Sequence, residues 1–129
     1  MAWHRYCKIL SLVLGGVLAK APLWAQPPIV KQAIAAFDKE DLGQAQTLID
    51  QATQDEKAKT KESTWYYRGA IYEQLMRKNI ASDTASYYLE QALQAYQQAL
   101  SLAPASSQYH SFAQVNFHGL WAYYLDRGS

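Results

Sequence analysis

Few side chains in this chain could bind a metal or a substrate. His110 and His118 are the best pair, because the stretch that holds them has helical spacing and places both on roughly the same side. They lie two helical turns apart, whereas two histidines that share one metal ion on a helix are usually one turn apart. We expect surface or packing histidines. The alternative is an enzyme or metal protein whose helices position these two residues.

Other patterns that could support chemistry are incomplete. Asp38, Glu40 and Asp41 lack the alternating acidic residues, the glycine and the terminal glutamate of a calcium-binding loop. The pair Gly15-Gly16 lies in an apolar stretch near the N-terminus and not in a phosphate-binding loop. No serine has the neighbours of a nucleophile elbow. The sequence therefore predicts a protein that is not an enzyme and that has no metal, no cofactor and no small-molecule substrate.

Residues 1–25 are typical of a secretory signal peptide. Basic residues precede an uncharged apolar run at 9–19, which is shorter than the about 20 residues that span a bilayer. We expect cleavage after Ala25. Cleavage would remove Cys7, the only cysteine, so the mature chain could form neither a disulfide nor a thiolate metal site. The predicted location is periplasmic or secreted, and the alternative is that this segment remains as a membrane anchor.

The charge balance argues against nucleic acid as a partner. Without residues 1–25 the chain keeps nine of its 12 Lys and Arg, since Arg5, Lys8 and Lys20 are lost, against 11 Asp and Glu, for a formal charge of −2. Phosphate binding needs a basic surface, and the sequence has no such stripe. Lysines are interleaved with acidic residues over residues 55–62, which is typical of a solvated linker.

Apolar residues recur at helical spacing along the remainder of the chain. The predicted helices cover residues 29–37, 42–52, 63–76, 85–102 and about 107–127. Pro27-Pro28 suits the first turn of the first helix, and Pro104 ends the fourth. Ser82 or Asp83 is expected to cap the fourth helix by accepting hydrogen bonds from free backbone N–H groups.

A glycine in the third predicted helix needs a structural reason, because glycine inside a helix costs about 1 kcal/mol relative to alanine. Trp65 lies four residues before Gly69 and Tyr72 lies three after it, so the three share one face. Ala92 and Tyr96 form a matching stripe on the fourth helix. Helix axes approach closely only where small residues meet, so we expect Gly69 and Ala92 at this contact.

These residues resemble the tetratricopeptide repeat, whose pattern is Trp-x2-Leu-Gly-x2-Tyr, followed on a second helix by Ala-x3-Phe, an Ala and a Pro. Arg68 stands where the family has Leu. Ala92 follows Gly69 by 23 residues, about 11 more than in the family. The resemblance therefore predicts a longer turn or a longer second helix around residues 76–87. The residues expected to pack the repeats together are Ala33, Ala45, Trp65, Gly69, Tyr72, Ala92, Tyr96, Ala99 and Pro104.

The resemblance implies an all-α fold in which antiparallel helix hairpins stack as a short right-handed solenoid. It divides the chain into a signal peptide at 1–25, a degenerate hairpin at 26–59, a hairpin with an inter-helix insertion at 60–106 and the first helix of an incomplete third repeat at 107–129. That last helix carries an apolar face. We expect that the sequence is a fragment and that a continuation of the chain covers this face. The alternative is that a partner or a second copy covers it.

First helices in tetratricopeptide arrays line a groove that holds an extended peptide or a partner helix. By resemblance, the expected groove residues are Tyr66, Ala70, Glu73, Gln74, Val30 and Ile34. The alternative for Tyr66 is partial burial against the neighbouring repeat. The predicted function is an exported scaffold or adaptor that binds a protein or peptide partner, similar to exported bacterial repeat proteins. A membrane-tethered subunit of an envelope assembly is the alternative.

Overall fold

The computed structural model describes residues 26–128, and this part of the chain is all-helical, with no strand. Its helices are α1 (Pro28–Asp38), α2 (Leu42–Ala52), α3 (Glu62–Lys78), α4 (Thr84–Leu102) and α5 (Gln108–Gly128), with a short 3-10 helix (Ala58–Thr60) before α3. The predicted helices are confirmed to within two residues at each end. The predicted signal peptide and its apolar run lie outside the described residues. None of the helices within 26–128 has both the length and the apolar character needed to cross a membrane.

Local signals explain where two of the helices begin. The Asp41 carboxylate accepts a hydrogen bond from the Gln44 backbone N–H at 3.3 Å and caps α2. The Ser82 hydroxyl accepts one from the Thr84 N–H at 3.0 Å at the start of α4. The side chain of Asp83 makes no capping bond, so Ser82 is the residue that serves this end.

The helices pack in a regular order. Each one contacts the next along the chain, and α3 also contacts both α1 and α5. α3 therefore lies between α1 and α5. α2 packs against α1 and α3, and α4 packs against α3 and α5. Fully buried alanines lie on α1, α2, α4 and α5, and α3 has the buried Gly69 instead, so small residues allow close approach of all five helices. The alanines are Ala33, Ala45, Ala52, Ala92, Ala95, Ala99 and Ala113.

The second hairpin is longer than the first because both of its helices are longer. α3 and α4 contain 17 and 19 residues, whereas α1 and α2 contain 11 each. The turn between α3 and α4 is short, at residues 79–83. Leu75 and Met76 near the end of α3 are buried, as is Leu89 near the start of α4. The additional helical turns of α3 and α4 are therefore stabilised by buried apolar contacts, which a longer loop in their place would not make.

Gly69 lies directly against the ring of Tyr96. A Cβ atom at Gly69 would lie 2.5 to 2.9 Å from three carbons of that ring. Tyr96, one turn beyond Ala92 on α4, is thus the residue that requires a glycine here, although Ala92 is also fully buried. The Tyr96 ring fills the space that the glycine leaves.

Candidate functional site

A cluster of aromatic rings joins α3 to α5 and α4. Tyr66 is its centre, with ring-centroid distances of 5.3 Å to Tyr67, 5.6 Å to Tyr109, 5.8 Å to Phe112 and 5.9 Å to Tyr96. The rings are tilted or edge-on, an arrangement worth about 0.5–1.5 kcal/mol per pair beyond the area that it buries. We call these five residues the tyrosine cluster. It attaches the fifth helix to the second hairpin.

Burial controls the chemistry of this cluster. Desolvation raises the pKa of the Tyr66 and Tyr67 phenols, and it raises the pKa of Tyr109 to about 12. The pKa of Tyr96, which is fully buried next to Glu73, is also raised. These hydroxyl groups stay neutral at physiological pH. They can donate and accept hydrogen bonds but are poor acids and poor nucleophiles.

The structure divides the predicted groove residues into two sets. Val30 and Ile34 are buried in the core, so the prediction that they line an open groove is wrong. The first hairpin has no Trp or Tyr on its helices, and the Val30 and Ile34 side chains fill its interior instead. On α3, Ala70 is half-buried and Gln74 is exposed. Tyr66 is half-buried in the cluster, which matches the alternative considered for it.

Glu73 takes part in a hydrogen-bond network that joins three helices. Its Oε1 accepts from the Tyr96 hydroxyl at 2.8 Å and from Asn116 Nδ2 at 3.5 Å, and its Oε2 accepts from Arg77 Nε and Nη2 at 3.1 and 2.9 Å. Asn116 Nδ2 also donates to the Tyr96 hydroxyl at 2.9 Å. Both carboxylate oxygens of Glu73 therefore accept hydrogen bonds from other residues of the chain. Glu73 was predicted to line the groove, and its bonds here connect α3 with α4 and α5.

A second network of polar contacts is centred on Arg68. Arg68 Nε donates to Asp50 Oδ1 at 3.1 Å, and Arg68 Nη2 donates to Gln91 Oε1 at 3.0 Å. The Tyr72 hydroxyl donates to Asp50 Oδ2 at 2.7 Å and accepts from Gln46 Nε2 at 3.3 Å. The guanidinium carbon lies 4.5 Å from the centre of the Tyr72 ring. Arg68 thus connects α2, α3 and α4 through polar contacts where leucine would use apolar ones.

A third polar contact connects residue 26 to the rest of the fold. Ser63 Oγ donates to Gln26 Oε1 at 2.6 Å, and Gln26 Nε2 donates to the Tyr109 hydroxyl at 3.4 Å. All three side chains are buried. The first described residue is therefore held between the starts of α3 and α5, which sequence spacing alone had not indicated.

The histidines have different surroundings. His110 is half-buried, with its Nδ1 3.4 Å from the Ala103 carbonyl oxygen, whereas His118 is exposed and its ring lies edge-on to Phe117. Within residues 26–128, no group of three His, Cys, Asp or Glu side chains could hold a metal ion. A depression of about 260 Å³ lies between the α1–α2 turn and the end of α3. That volume is below the about 300–1,000 Å³ of typical small-molecule sites.

Exposed apolar side chains are concentrated on α5. Among the described residues, seven large hydrophobic side chains are exposed, and five of them belong to this helix. They are Phe112, Val115, Trp121, Tyr124 and Leu125. Leu120 of the same helix is buried. The Phe112 ring lies against Tyr66 of α3, and the other four side chains leave apolar surface exposed elsewhere on α5.

Comparison with known proteins gives no assignment: no protein-family model matches the chain, and no curated protein or solved structure is significantly similar to it. The geometry described above is thus the basis for any statement about function.

Proposed function

We propose that this protein is an exported tetratricopeptide-like scaffold that binds a protein or peptide partner along its first helices. Three features support a solenoid of this kind, with a right-handed stack as its expected form. The helices form consecutive hairpins, α3 contacts both α1 and α5, and Gly69 admits the Tyr96 ring between α3 and α4. These are the contacts that stacked helix hairpins require.

The accessible side of α3 and the adjoining edge of α5 form the proposed binding surface. We call it the first-helix face and define it by Tyr66, Tyr67, Ala70, Gln74 and Phe112. It combines half-buried tyrosines, an exposed amide and a 44% exposed phenylalanine ring. Aromatic side chains of this kind provide large contact areas at low entropy cost, and their hydroxyl groups can orient a ligand.

The chemistry of this face favours a particular class of partner. None of the five side chains carries a charge at neutral pH, and the Glu73 carboxylate beside them is already bound by Arg77, Tyr96 and Asn116. Capture of a charged peptide terminus would require basic side chains here, and none of the five residues is basic. A peptide or helix with apolar or aromatic side chains is therefore the expected partner, and the partly exposed rings of Tyr66, Tyr67 and Phe112 are the observation that carries this proposal.

Site-specific photo-crosslinking tests the location of the partner. Benzoylphenylalanine would replace Gln74 on α3 or, as a matched control, Gln97, which is an exposed residue of the same type on α4. We expect one predominant crosslinked protein from position 74 in cells that make this chain, with little from position 97. Equal crosslinking from both positions, or none from position 74, would argue against the first-helix face.

Export is tested separately by the mass of the purified protein. Cleavage after Ala25 predicts a mature chain that begins at Gln26. A mass that includes residues 1–25 would favour the alternative proposal, in which the apolar run at 9–19 is retained as a membrane anchor and the helices recruit a partner at the bilayer surface.

A further inference from the structure

α5 carries a second aromatic surface that the first-helix face does not use. At about 100° per residue, Trp121 lies on the opposite side of α5 from Phe112, the residue that contacts Tyr66. The rings of Phe117 and Trp121 are 6.4 Å apart and within 3° of parallel, and those of Trp121 and Tyr124 are 5.4 Å apart and within 10°. His118 lies edge-on to Phe117 at 5.9 Å. We call these four residues the aromatic flank.

The aromatic flank is accessible in the monomer. Trp121 is 43% exposed and Tyr124 is 40% exposed, His118 is exposed as well, and Phe117 is half-buried. Because aromatic side chains present about 150–250 Å² each, the four leave about 300 Å² uncovered. With the exposed neighbours Gln114 and Leu125, which lie on the same side of α5, two such surfaces would bury about 1,000 Å² in total, which is the lower limit for a specific interface.

The charge pattern indicates what kind of surface can cover this flank. No Asp, Glu, Lys or Arg occurs from residue 91 to residue 125. Residues near a two-fold axis meet the same residues of the other copy, so any charge there would face an identical charge. An uncharged surface avoids this repulsion, and it offers nothing for a charged peptide or for nucleic acid to pair with. The pattern therefore favours self-association over a charged partner.

The spacing of the side chains is also self-complementary. We propose that the aromatic flank pairs with the same flank of a second copy of this chain, with the two α5 helices antiparallel about a two-fold axis near Trp121. In this register Trp121 lies against Trp121 of the second copy. Tyr124 lies opposite His118 of the second copy, where the phenol and imidazole can share a hydrogen bond. Each first-helix face remains accessible, so pairing gives two partner sites per assembly.

Sedimentation velocity measures this pairing directly. The full chain, purified as the expression host processes it, would be compared over about 1–300 μM, the range expected for a small interface. We expect a reversible monomer–dimer equilibrium. Trp121→Ser is expected to weaken association at least about tenfold, because central tryptophans are frequent hot spots. Val115→Ser is the control, since Val115 is 71% exposed and lies about 120° around α5 from Trp121, so its replacement should weaken association much less than Trp121→Ser does.

Several outcomes would overturn the proposal. These are a monomer at every concentration, a dimer that Trp121→Ser does not weaken, and equal weakening by Val115→Ser. Tyr124→Ser serves as the second interface variant if far-UV circular dichroism shows that Trp121→Ser is unfolded. A monomer that instead binds phosphatidylcholine vesicles through Trp121 would replace the second copy with a lipid surface.

Cysteine crosslinking tests the antiparallel register. In a Cys7→Ser background, Trp121→Cys places two cysteines next to the axis, where a disulfide can form if their Cα atoms are within about 7 Å. Because this variant also lacks the tryptophan, it is oxidised at a concentration above its own dissociation constant, which sedimentation velocity supplies. Ser111→Cys would place its two cysteines about 30 Å apart in the same register. Oxidation is expected to link the first variant and not the second. A covalent dimer of Ser111→Cys alone, or of both variants, contradicts antiparallel pairing.

Discussion

Replacing Gly69 with alanine tests the contact on which the second hairpin depends. Alanine has the higher helix propensity, by about 1 kcal/mol, so local preference alone predicts that the variant is more stable. The packing predicts the opposite. The new methyl group would lie 2.5 to 2.9 Å from carbons of the Tyr96 ring, well inside the about 3.5–4.0 Å of favourable carbon contacts.

The Tyr96 ring has little freedom to move away. Its hydroxyl donates to Glu73 at 2.8 Å and accepts from Asn116 at 2.9 Å, and its ring packs against Tyr66. Overpacking a core costs about 1–3 kcal/mol, and weakening a hydrogen bond to a charged group adds about 1.5 kcal/mol. After the gain in helix propensity, we expect Gly69→Ala to lower the free energy of unfolding by about 2 kcal/mol.

Urea unfolding followed by circular dichroism measures this change, and Gly119→Ala is the matched control. No described atom outside the local helix backbone and adjoining residues lies within 4 Å of the position that a Cβ would occupy at Gly119, so that variant should gain up to about 1 kcal/mol. If Gly69→Ala is as stable as the parent protein, the close-contact argument fails. In a Tyr96→Leu background the same substitution should cost less, because the anchored ring is gone.

Two further predictions concern polar groups. Asp50→Ala should lower the free energy of unfolding by about 1–2 kcal/mol, because Arg68 and Tyr72 both lose their carboxylate partner; Glu56→Ala, whose carboxylate is 87% exposed, should change it by less than about 0.5 kcal/mol. Burial raises the pKa of Tyr72 and Tyr109 to about 12 from the usual 10.0. The folded state therefore keeps these two phenol protons at pH values where the unfolded state has lost them. The contribution of the two tyrosines to the free energy of unfolding is fully present below about pH 10 and is lost as the pH rises from about 10 to 12. Thermal unfolding across this range, with absorbance at 295 nm to follow phenolate, checks it; unchanged stability would contradict it.

Local signals in the sequence were enough to predict the helices. Helical spacing of apolar residues, the proline at 104 and the serine cap at 82 act within a few residues, so they can be recognised without tertiary contacts. The glycine at 69 was also informative, because its helix cost pointed to a close neighbour. The nearest neighbour proved to be the Tyr96 ring, a contact that depends on how α4 rotates against α3.

The surface residues were harder to predict because burial depends on neighbouring helices. Val30 and Ile34 look like groove residues only when residues 26–59 are aligned with the repeat pattern, and they fill the core of the first hairpin, which has no Trp or Tyr on its helices. Tyr66 is covered by Tyr109 and Phe112, which follow it by more than 40 residues. Polar pairs that are distant in sequence, such as Asp50 with Arg68, leave no periodic pattern.

The affinity of the crosslinked partner segment for the first-helix face tests the central proposal most directly. It would be measured by titration calorimetry with the parent protein, Phe112→Ala and Gln97→Ala. We predict that Phe112→Ala weakens binding at least about tenfold, because an exposed aromatic anchor is lost, and that Gln97→Ala has no effect. Equal affinities for all three proteins would contradict a partner site on the first helices.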